Sequence, residues 1–220
     1  MGAESKHLRR PGIRRDQVAL TERRILIAAA KLFTARGYAG TSLLAVAEAA
    51  SVSPRTVYVR FHSKAQLLNR CIETSVVGDQ QPIALRDRDL ARSGRDSATL
   101  DARLDAFVGM AQAIMERSAA LFTVGAEAAA LEPEIAALER LAMQHTLTDM
   151  GEFADRLAAD GMAPAGTTAE ALTDLLWVLA GPRTMVSLRN DRGWTSVQFA
   201  TWLRSTLQAF LGDRGAGDLS

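Results

Sequence analysis

The sequence predicts an all-α protein made of a small N-terminal helical domain and a larger C-terminal helical bundle. Alanine, leucine, arginine and glutamate dominate the chain, and all four favour helix. Apolar residues recur at spacings of three and four rather than two, which indicates helices rather than strands. Charge separates the two parts. Residues 1–72 hold 13 Lys/Arg and 4 Asp/Glu, a net +9, whereas residues 73–220 hold 13 Lys/Arg and 21 Asp/Glu, a net −8. We therefore expect the first part to meet a polyanion.

Composition excludes several classes of protein. With 48% hydrophobic and 23% charged residues, the 220-residue chain has the composition of a globular protein and not of a disordered one. No apolar run approaches the ~18 residues that a membrane-spanning helix needs, and no signal-peptide pattern opens the chain. The single cysteine, Cys71, is expected to be a small buried residue and excludes both a disulfide framework and a cysteine metal cluster. We expect a cytoplasmic protein without metal, cofactor or membrane partner.

The N-terminal part divides into four helices. The first should end before Gly37, which suits the left-handed position after a helix. Two short helices, Leu43–Ala50 and Pro54–Phe61, should follow, and then a longer one from Ser63 to about Val77. The apolar stripe of the first helix consists of Ile25, Ala28, Ala29, Leu32 and Phe33.

In the remainder of the chain, the sequence pattern predicts a linker followed by a helical bundle. Gly78–Ala98 is polar and contains Pro82 and Gly94, so it is expected to be irregular. The predicted segments are a basic flexible arm (1–17), a small helical domain (18–70), a larger helical domain (71–212) and a tail (213–220). The helical patterns of the bundle cover 100–117, 119–130, 133–160, 168–190 and 195–211.

Residues 39–62 have the pattern of a helix-turn-helix. Two short helices are separated only by Ser51-Val52-Ser53, and small residues between them allow a close approach. The residues expected to pack between the helices are Leu44, Val46, Ala47, Ala50, Val52, Val57 and Phe61.

Capping residues and cations coincide at the helix starts. Thr41 is expected to cap the first short helix, and Ser53 the second, where Pro54 suits the first helical position. Arg55 and Lys64 lie in the first turns of their helices, where a cation opposes the helix dipole. Nothing nearby in the sequence compensates for either cation, whereas a phosphate bound at the helix start would.

The second short helix has the features of a recognition helix. Its outward residues are expected to be Arg55, Thr56, Val59 and Arg60. Arg55 suits guanine O6 and N7, and the Thr56 methyl suits that of thymine. Tyr58 and His62 are expected to contact the DNA backbone.

These residues resemble the DNA-binding domain of TetR-type transcriptional regulators over about residues 21–70. The resemblance implies phosphate contacts from Tyr58, Lys64 and either Thr41 or Ser42, with Arg55 and Thr56 nearest the bases. Ser51 and Arg55 depart from the family, which often has glycine at both positions. If Ser51 has a positive φ, the strain is about 1 kcal/mol. The matching residues are Arg24-Ile25-Leu26 to Ala30, Leu32-Phe33, Gly37-Tyr38, Thr41-Ser42, Val52-Ser53, Thr56-Val57-Tyr58, Phe61, Ser63-Lys64 and Leu67-Leu68.

The resemblance also implies that the C-terminal part, as in tetracycline-repressor-like proteins, binds a ligand and forms a homodimer through its last two helices. Methionines and aromatic residues at helical spacings suit an adaptable apolar pocket. The helices near the C-terminus carry more apolar residues than one small domain needs in its core. Candidate pocket residues are Phe107, Met110, Ile114, Phe122, Met150, Phe153 and Trp177. Candidate interface residues are Leu175, Leu179, Trp202, Leu207 and Phe210.

The predicted function is that of a dimeric, sequence-specific transcriptional regulator. A repressor released from a palindromic operator by a small apolar or amphipathic effector is the leading hypothesis. An activator of the same family, or a non-specific DNA-architectural protein, is the alternative. No glycine-rich phosphate loop, HExxH motif or nucleophile elbow indicates an enzyme.

Overall fold

The computed structural model describes residues 11–78 and 97–212, and every element in these ranges is an α-helix, which confirms the predicted fold class. None of the described helices is long and apolar enough to cross a membrane. The helices are α1 (Pro11–Arg36), α2 (Leu43–Ala49), α3 (Pro54–Phe61), α4 (Lys64–Val77), α5 (Leu100–Ala129), α6 (Pro133–Ala159), α7 (Ala169–Ala180), α8 (Pro182–Arg192) and α9 (Ser196–Gly212).

The chain forms two compact units whose boundary lies inside α4, between Cys71 and Ile72. α1, α2, α3 and the first half of α4 build the first unit. Its core contains the predicted stripe of α1, in which Ile25, Ala29 and Phe33 are fully buried. The helix ends at Arg36, and Gly37 has a φ of +69°, as predicted for the residue after the helix.

Leu44 corrects the predicted core of the first unit. Its side chain is 64% exposed, whereas Leu43, Val46, Ala47 and Ala50 are buried. These four residues are spaced at i, i+3, i+4 and i+7, so they share one helix face. Leu44 follows Leu43 by one residue and therefore lies about 100° around the helix from that face.

Cys71 is buried on α4, as predicted, and its thiol points towards the carbonyl oxygen of Leu26, at an Sγ–O distance of 3.7 Å. Burial raises the pKa of this thiol to about 12, because the apolar surroundings disfavour the thiolate.

In the second unit, α5 is the central helix and packs against α6, α8 and α9, while α6 and α8 also contact α7. The core is one apolar cluster formed by buried residues of α5 to α9. Its largest fully buried members are Leu104, Met115, Leu157, Leu172, Leu176, Phe199, Leu203 and Leu207.

Charged side chains join elements around this cluster. Arg204 in α9 donates to Asp101 and Asp105 in α5, with nitrogen–oxygen distances of 2.7 Å each. At the start of α5, the buried Arg103 donates to Asp160 and to the carbonyl oxygen of Ser97. Both arginines thus attach the N-terminal end of α5 to other parts of the second unit.

Two predicted helix boundaries in the bundle were wrong. α5 continues through residue 118 as one helix of 30 residues, because Ser118 is fully buried and neither glycine nor proline interrupts the backbone there. The predicted helix over 168–190 instead breaks at Gly181, which is extended (φ −69°, ψ 157°) before Pro182. Proline disfavours helical backbone at the preceding residue and begins a new helix well.

The N-terminal expectation also needs correction. α1 begins at Pro11, so residues 11–17, which were expected to belong to a basic flexible arm, are helical. Residues 1–10, most of the expected linker and the expected tail (213–220) lie outside the described residues.

Candidate nucleic-acid interface

The start of α3 is fixed by the residues that the sequence identifies. Ser53 has extended backbone, and its Oγ accepts a hydrogen bond from the Thr56 N–H at 3.2 Å. Pro54 occupies the first turn, where its missing N–H has no helical partner to lose. The hydroxyls of Ser53 and Thr56 are also 2.8 Å apart and share a hydrogen bond. This cap confirms the predicted start of the second helix of the motif.

The turn before α3 has an unusual backbone. Ser51 has a φ of +53°, the left-handed conformation in which the family often has glycine. A non-glycine residue there costs roughly 1–2 kcal/mol. Arg24 in α1 donates from Nη2 to the carbonyl oxygens of Ala50 (2.6 Å) and Ser51 (3.3 Å), and so binds both α2's end and the turn. In the sequence, Arg24 stands out only as part of the family pattern, because its partners lie 26 and 27 residues later and no spacing connects them.

One face of α3 is open to solvent. Arg55 is exposed and has no hydrogen bond or ion pair to any residue that the structure describes. Tyr58 and Val59 are 55% and 64% exposed, and His62 is exposed with a φ of +55°. An arginine and a valine one helical turn apart, flanked by a tyrosine, give this face both hydrogen-bond donors and an apolar surface.

Thr56 has a different environment from the one expected for a residue nearest the bases. Its side chain is half-buried, and its hydroxyl is engaged with Ser53. Val59 is instead the exposed apolar side chain one turn after Arg55. Thr56 and Val59, with Glu22, Ser53 and Arg60, line an open groove on the first unit.

Lys64 corrects the electrostatic argument made from the sequence. Its Nζ donates to the carbonyl oxygen of Tyr38 at 2.9 Å and lies 4.0 Å from the centre of the Tyr38 ring. A carbonyl dipole and an aromatic face both stabilise an ammonium group. The inference that this cation needs an outside anion was therefore wrong, because it has a partner that lies 26 residues earlier in the sequence.

The cap of α2 also differs from the prediction. Ser42, and not Thr41, is the N-cap, and its Oγ accepts from the Ala45 N–H at 3.1 Å. Thr41 is 2% exposed and donates to the carbonyl oxygen of Gly37. Of the two residues considered for a phosphate contact, only Ser42 is exposed. Ser63 caps α4, as predicted, by accepting from the Gln66 N–H.

The seven candidate pocket residues of the second unit lie in or against the apolar cluster. Phe107, Met150 and Phe153 are buried members of it, and the rings of Phe107 and Phe153 are stacked with centroids 4.9 Å apart. The others are half-buried and pack against the cluster. These are Met110, Ile114, Phe122 and Trp177.

The five candidate interface residues divide into three groups. Leu207 is fully buried within its own chain, which contradicts its assignment to an exposed interface. The reason is periodicity, since Leu203, Leu207 and Leu211 share the inner face of α9. Leu175, Leu179 and Trp202 are half-buried against the cluster, and Phe210 is 38% exposed. The described residues contain no group of His, Cys, Asp and Glu side chains arranged to hold a metal ion.

Comparison with known proteins agrees with this architecture. The family model described as "Bacterial regulatory proteins, tetR family" matches residues 25–71, which span α1 to α4. A search of curated proteins finds no match.

Several solved structures share the fold along most of both chains. NalD of Pseudomonas aeruginosa, the secondary repressor of the MexAB-OprM multidrug efflux pump, is 23% identical with a TM-score of 0.64, covering 88% of this chain and 98% of NalD. The transcriptional regulator FadR of Bacillus subtilis, solved with stearoyl-CoA, is 15% identical with a TM-score of 0.67, covering 84% and 96%. A Saccharomonospora viridis protein solved with choline is 19% identical with a TM-score of 0.64, covering 85% and 95%.

Residues 25–71, which contain the helix-turn-helix and its exposed face, match the domain of the tetR family of bacterial regulatory proteins, and the chain shares the fold of solved TetR-family structures.

Proposed function

We propose that the protein is a dimeric repressor that binds a palindromic operator and is released from it by a small apolar or amphipathic effector. The observation that carries the proposal is the exposed face of α3. Arg55 there has no partner among the described residues, while the cation of Lys64 is compensated within its own unit. A guanidinium left free on a recognition helix suits a base edge or a phosphate.

The contacts to DNA divide by chemistry. Arg55 and Val59 are exposed one turn apart, so we assign Arg55 to guanine and Val59 to the methyl group of a neighbouring thymine. Tyr58, His62 and Ser42 are exposed at the margins and are assigned to phosphate contacts. Thr56 and Lys64 hold the local structure through Ser53 and Tyr38, and Thr41 is buried.

A homodimer would present two recognition helices to one duplex. Recognition helices that read a palindrome lie one DNA turn apart, about 34–36 Å. Exposed apolar side chains near the C-terminus support a self-complementary interface. Val178 on α7 and Val197 on α9 are each 61% exposed, and Phe210 adds a third apolar side chain. These residues replace Leu207 in the proposed interface.

The apolar cluster of the second unit is the proposed effector site. Methionine and aromatic side chains line it from α5, α6 and α7, and such side chains adapt readily to an apolar ligand. Similar folds hold stearoyl-CoA in the Bacillus subtilis protein and choline in the Saccharomonospora viridis protein, an acyl thioester and a quaternary amine. An effector with an apolar portion is compatible with both examples.

The alternatives predict different behaviour. An activator would bind the same DNA but raise transcription. A non-specific architectural protein would bind all DNA with equal affinity, and this activity would not require the acidic second unit. We propose no enzymatic activity, and a bacterial regulator of this kind acts on DNA in the cytoplasm.

The test is selection of genomic fragments by the purified full chain over a salt series with random competitor DNA. Recovery of one palindromic sequence at physiological salt supports the specific regulator. Equal binding to every fragment, lost as salt rises, would leave the architectural protein. Transcription from a promoter carrying the selected palindrome, with and without the protein, then separates a repressor from an activator.

A further inference from the structure

A buried arginine lies at the edge of the apolar cluster in the second unit. Arg103, in the first turn of α5, is only 6% exposed. Its Nε donates to the carbonyl oxygen of Ser97 at 2.7 Å, and its Nη2 donates to a carboxylate oxygen of Asp160 at 2.5 Å. The third nitrogen, Nη1, is buried and has no hydrogen-bond partner among the described residues. Since a guanidinium group carries five N–H donors, the two on Nη1 are unused.

The positive charge of Arg103 is balanced mainly on its outer side. The Asp160 side chain is 50% exposed, so water screens the carboxylate that pairs with Nη2. Nη1 is shielded from solvent and therefore faces other protein atoms. A buried donor that has neither a protein partner nor water is destabilising, and more so on a charged group. The inner side of this guanidinium therefore suits a hydrogen-bond acceptor, and an anionic acceptor best of all.

The groups around Arg103 are members of the apolar cluster that is the proposed effector site. Phe107 lies one turn after Arg103 on α5, and the two side chains share a helix face. Leu157 lies one turn before Asp160 on α6 and is fully buried. Phe107 also stacks on Phe153 of α6, with ring centroids 4.9 Å apart. One end of the bundle thus brings an unused guanidinium edge next to an apolar surface from two helices.

We propose that Arg103 is the polar anchor of the effector site and that the effector is an ionised amphipathic carboxylic acid. The inference rests on the proposed function. The carboxylate accepts from Nη1, because hydrogen bonds between guanidinium and carboxylate are short and strong. The apolar portion lies against Phe107 and its neighbours. Met162, between α6 and α7, is half-buried against the same cluster, and its flexible side chain adapts to such a ligand. A cationic amphiphile would place like charges together and is rejected.

The first arm of the test measures ligand selectivity without DNA. Decanoate, decanol and decyltrimethylammonium have the same alkyl chain and differ in the charge of the polar end. Isothermal titration calorimetry with the full chain gives a Kd for each. Decanoate should bind about tenfold more tightly than decyltrimethylammonium and about threefold more tightly than decanol. Three equal Kd values, or no binding of decanoate, would overturn the proposal.

The second arm separates a ligand contact from a purely structural role of Arg103. Arg103→Met should weaken decanoate binding about tenfold and leave the Kd of decanol within about twofold, because methionine keeps the apolar stem. Arg204→Met is the matched control, since Arg204 also attaches the start of α5 through aspartates but lies outside the proposed site. It should change neither Kd. If Arg103→Met weakened both ligands alike, Arg103 would only hold the helices together.

A further variant keeps the guanidinium and so does not depend on how well Arg103→Met folds. Asp160→Asn removes the carboxylate that competes for Arg103, and it should tighten decanoate binding about threefold without changing the Kd of decanol. Unchanged or weaker decanoate binding in Asp160→Asn would contradict the proposal.

The last arm uses the DNA fragment selected for the wild-type protein. Decanoate should release the wild-type protein, and release of Arg103→Met should need about tenfold more decanoate. Selective binding of decanoate without release would uphold the acid site and refute its role as the effector site. Release by decanol at the same concentration as by decanoate would refute the acid site and uphold the ligand-released regulator.

Discussion

Arg24 in α1 donates through Nη2 to the carbonyl oxygen of Ala50, 2.6 Å away, at the end of α2. The same nitrogen lies 3.3 Å from the carbonyl oxygen of Ser51, whose φ is +53°. An arginine outside the helix-turn-helix thus stabilises the strained turn inside it. The angle between α2 and α3 depends on that turn, so the position of the recognition helix depends on Arg24.

Replacing Arg24 with methionine should therefore weaken DNA binding without removing any DNA contact. The expected loss of affinity is about tenfold, which corresponds to roughly 1.4 kcal/mol for the lost charged hydrogen bond. Arg24→Lys should recover part of the loss, because an ammonium group reaches one carbonyl. Arg23→Met is the control, since Arg23 is exposed without a partner among the described residues. Equal affinities for Arg23→Met and Arg24→Met would contradict this role.

Ser51→Gly should stabilise the first unit. Glycine adopts a positive φ without the steric cost that serine has, and this gain exceeds the loss from greater freedom of the unfolded chain by about 0.5 kcal/mol. Ser51→Ala separates backbone strain from side-chain effects, since alanine keeps the strain. Urea unfolding of both variants decides the question. A gain in Ser51→Ala as large as in Ser51→Gly would show that strain at residue 51 is not the cause.

Arg55 and Tyr58 should have different roles at the operator. Arg55→Ala is expected to cost about 1–3 kcal/mol on the selected sequence and to relax the preference at one base pair. Tyr58→Phe should weaken binding by a similar factor on every sequence, because a phosphate is present at every position. Competition titrations with single-base variants of the operator distinguish the two. If Arg55→Ala lowered affinity equally on all sequences, its assignment to a base would be wrong.

Sequence patterns predicted the first unit well because its determinants are local. The caps Ser53 and Ser63 act on N–H groups three residues away, and Gly37 acts on its own backbone. Lys64 was misjudged because its partner, Tyr38, is distant in the sequence. Leu44 was misjudged for another reason, since the helical spacing of Leu43, Val46, Ala47 and Ala50 already places Leu43, and not Leu44, on the inner face of α2.

The bundle was harder to predict for a related reason. The pair Gly181-Pro182 is typical of a helix break, yet the prediction placed one helix over 168–190. At residue 118 the prediction separated two helices, whereas Ser118 is fully buried inside one continuous helix. Arg117 in α5 donates to the carbonyl oxygens of Ser75 and Val76, which lie 42 and 41 residues earlier, and no pattern of spacing connects them.

Cys71 should resist thiol reagents until the first unit unfolds. Burial raises the pKa of its thiol to about 12 from a usual value of 9.0, so the reactive thiolate is scarce at neutral pH. We expect labelling by a disulfide reagent at pH 8 to be on the order of 100-fold slower than in urea. Because the folded state disfavours the thiolate, this group's contribution to stability is complete below about pH 9. It then declines as pH rises towards 12. Cys71→Ala should lose that decline, which urea unfolding at pH 8 and pH 10 measures.

Arg204 should contribute measurably to the stability of the second unit. The hydrogen bonds that it donates to Asp105 and Asp101 raise its pKa, although both aspartates are largely exposed. Solvent screening limits such pairs, so Arg204→Met should lower the free energy of unfolding by about 1 kcal/mol. The loss should shrink at 1 M salt, where the Debye length is about 3 Å. Urea unfolding at low and high salt measures it, with Arg189→Met as the control because Arg189 is exposed without a partner among the described residues. A loss that does not depend on salt would indicate that the aliphatic stem of Arg204, and not its charge, is the stabilising part.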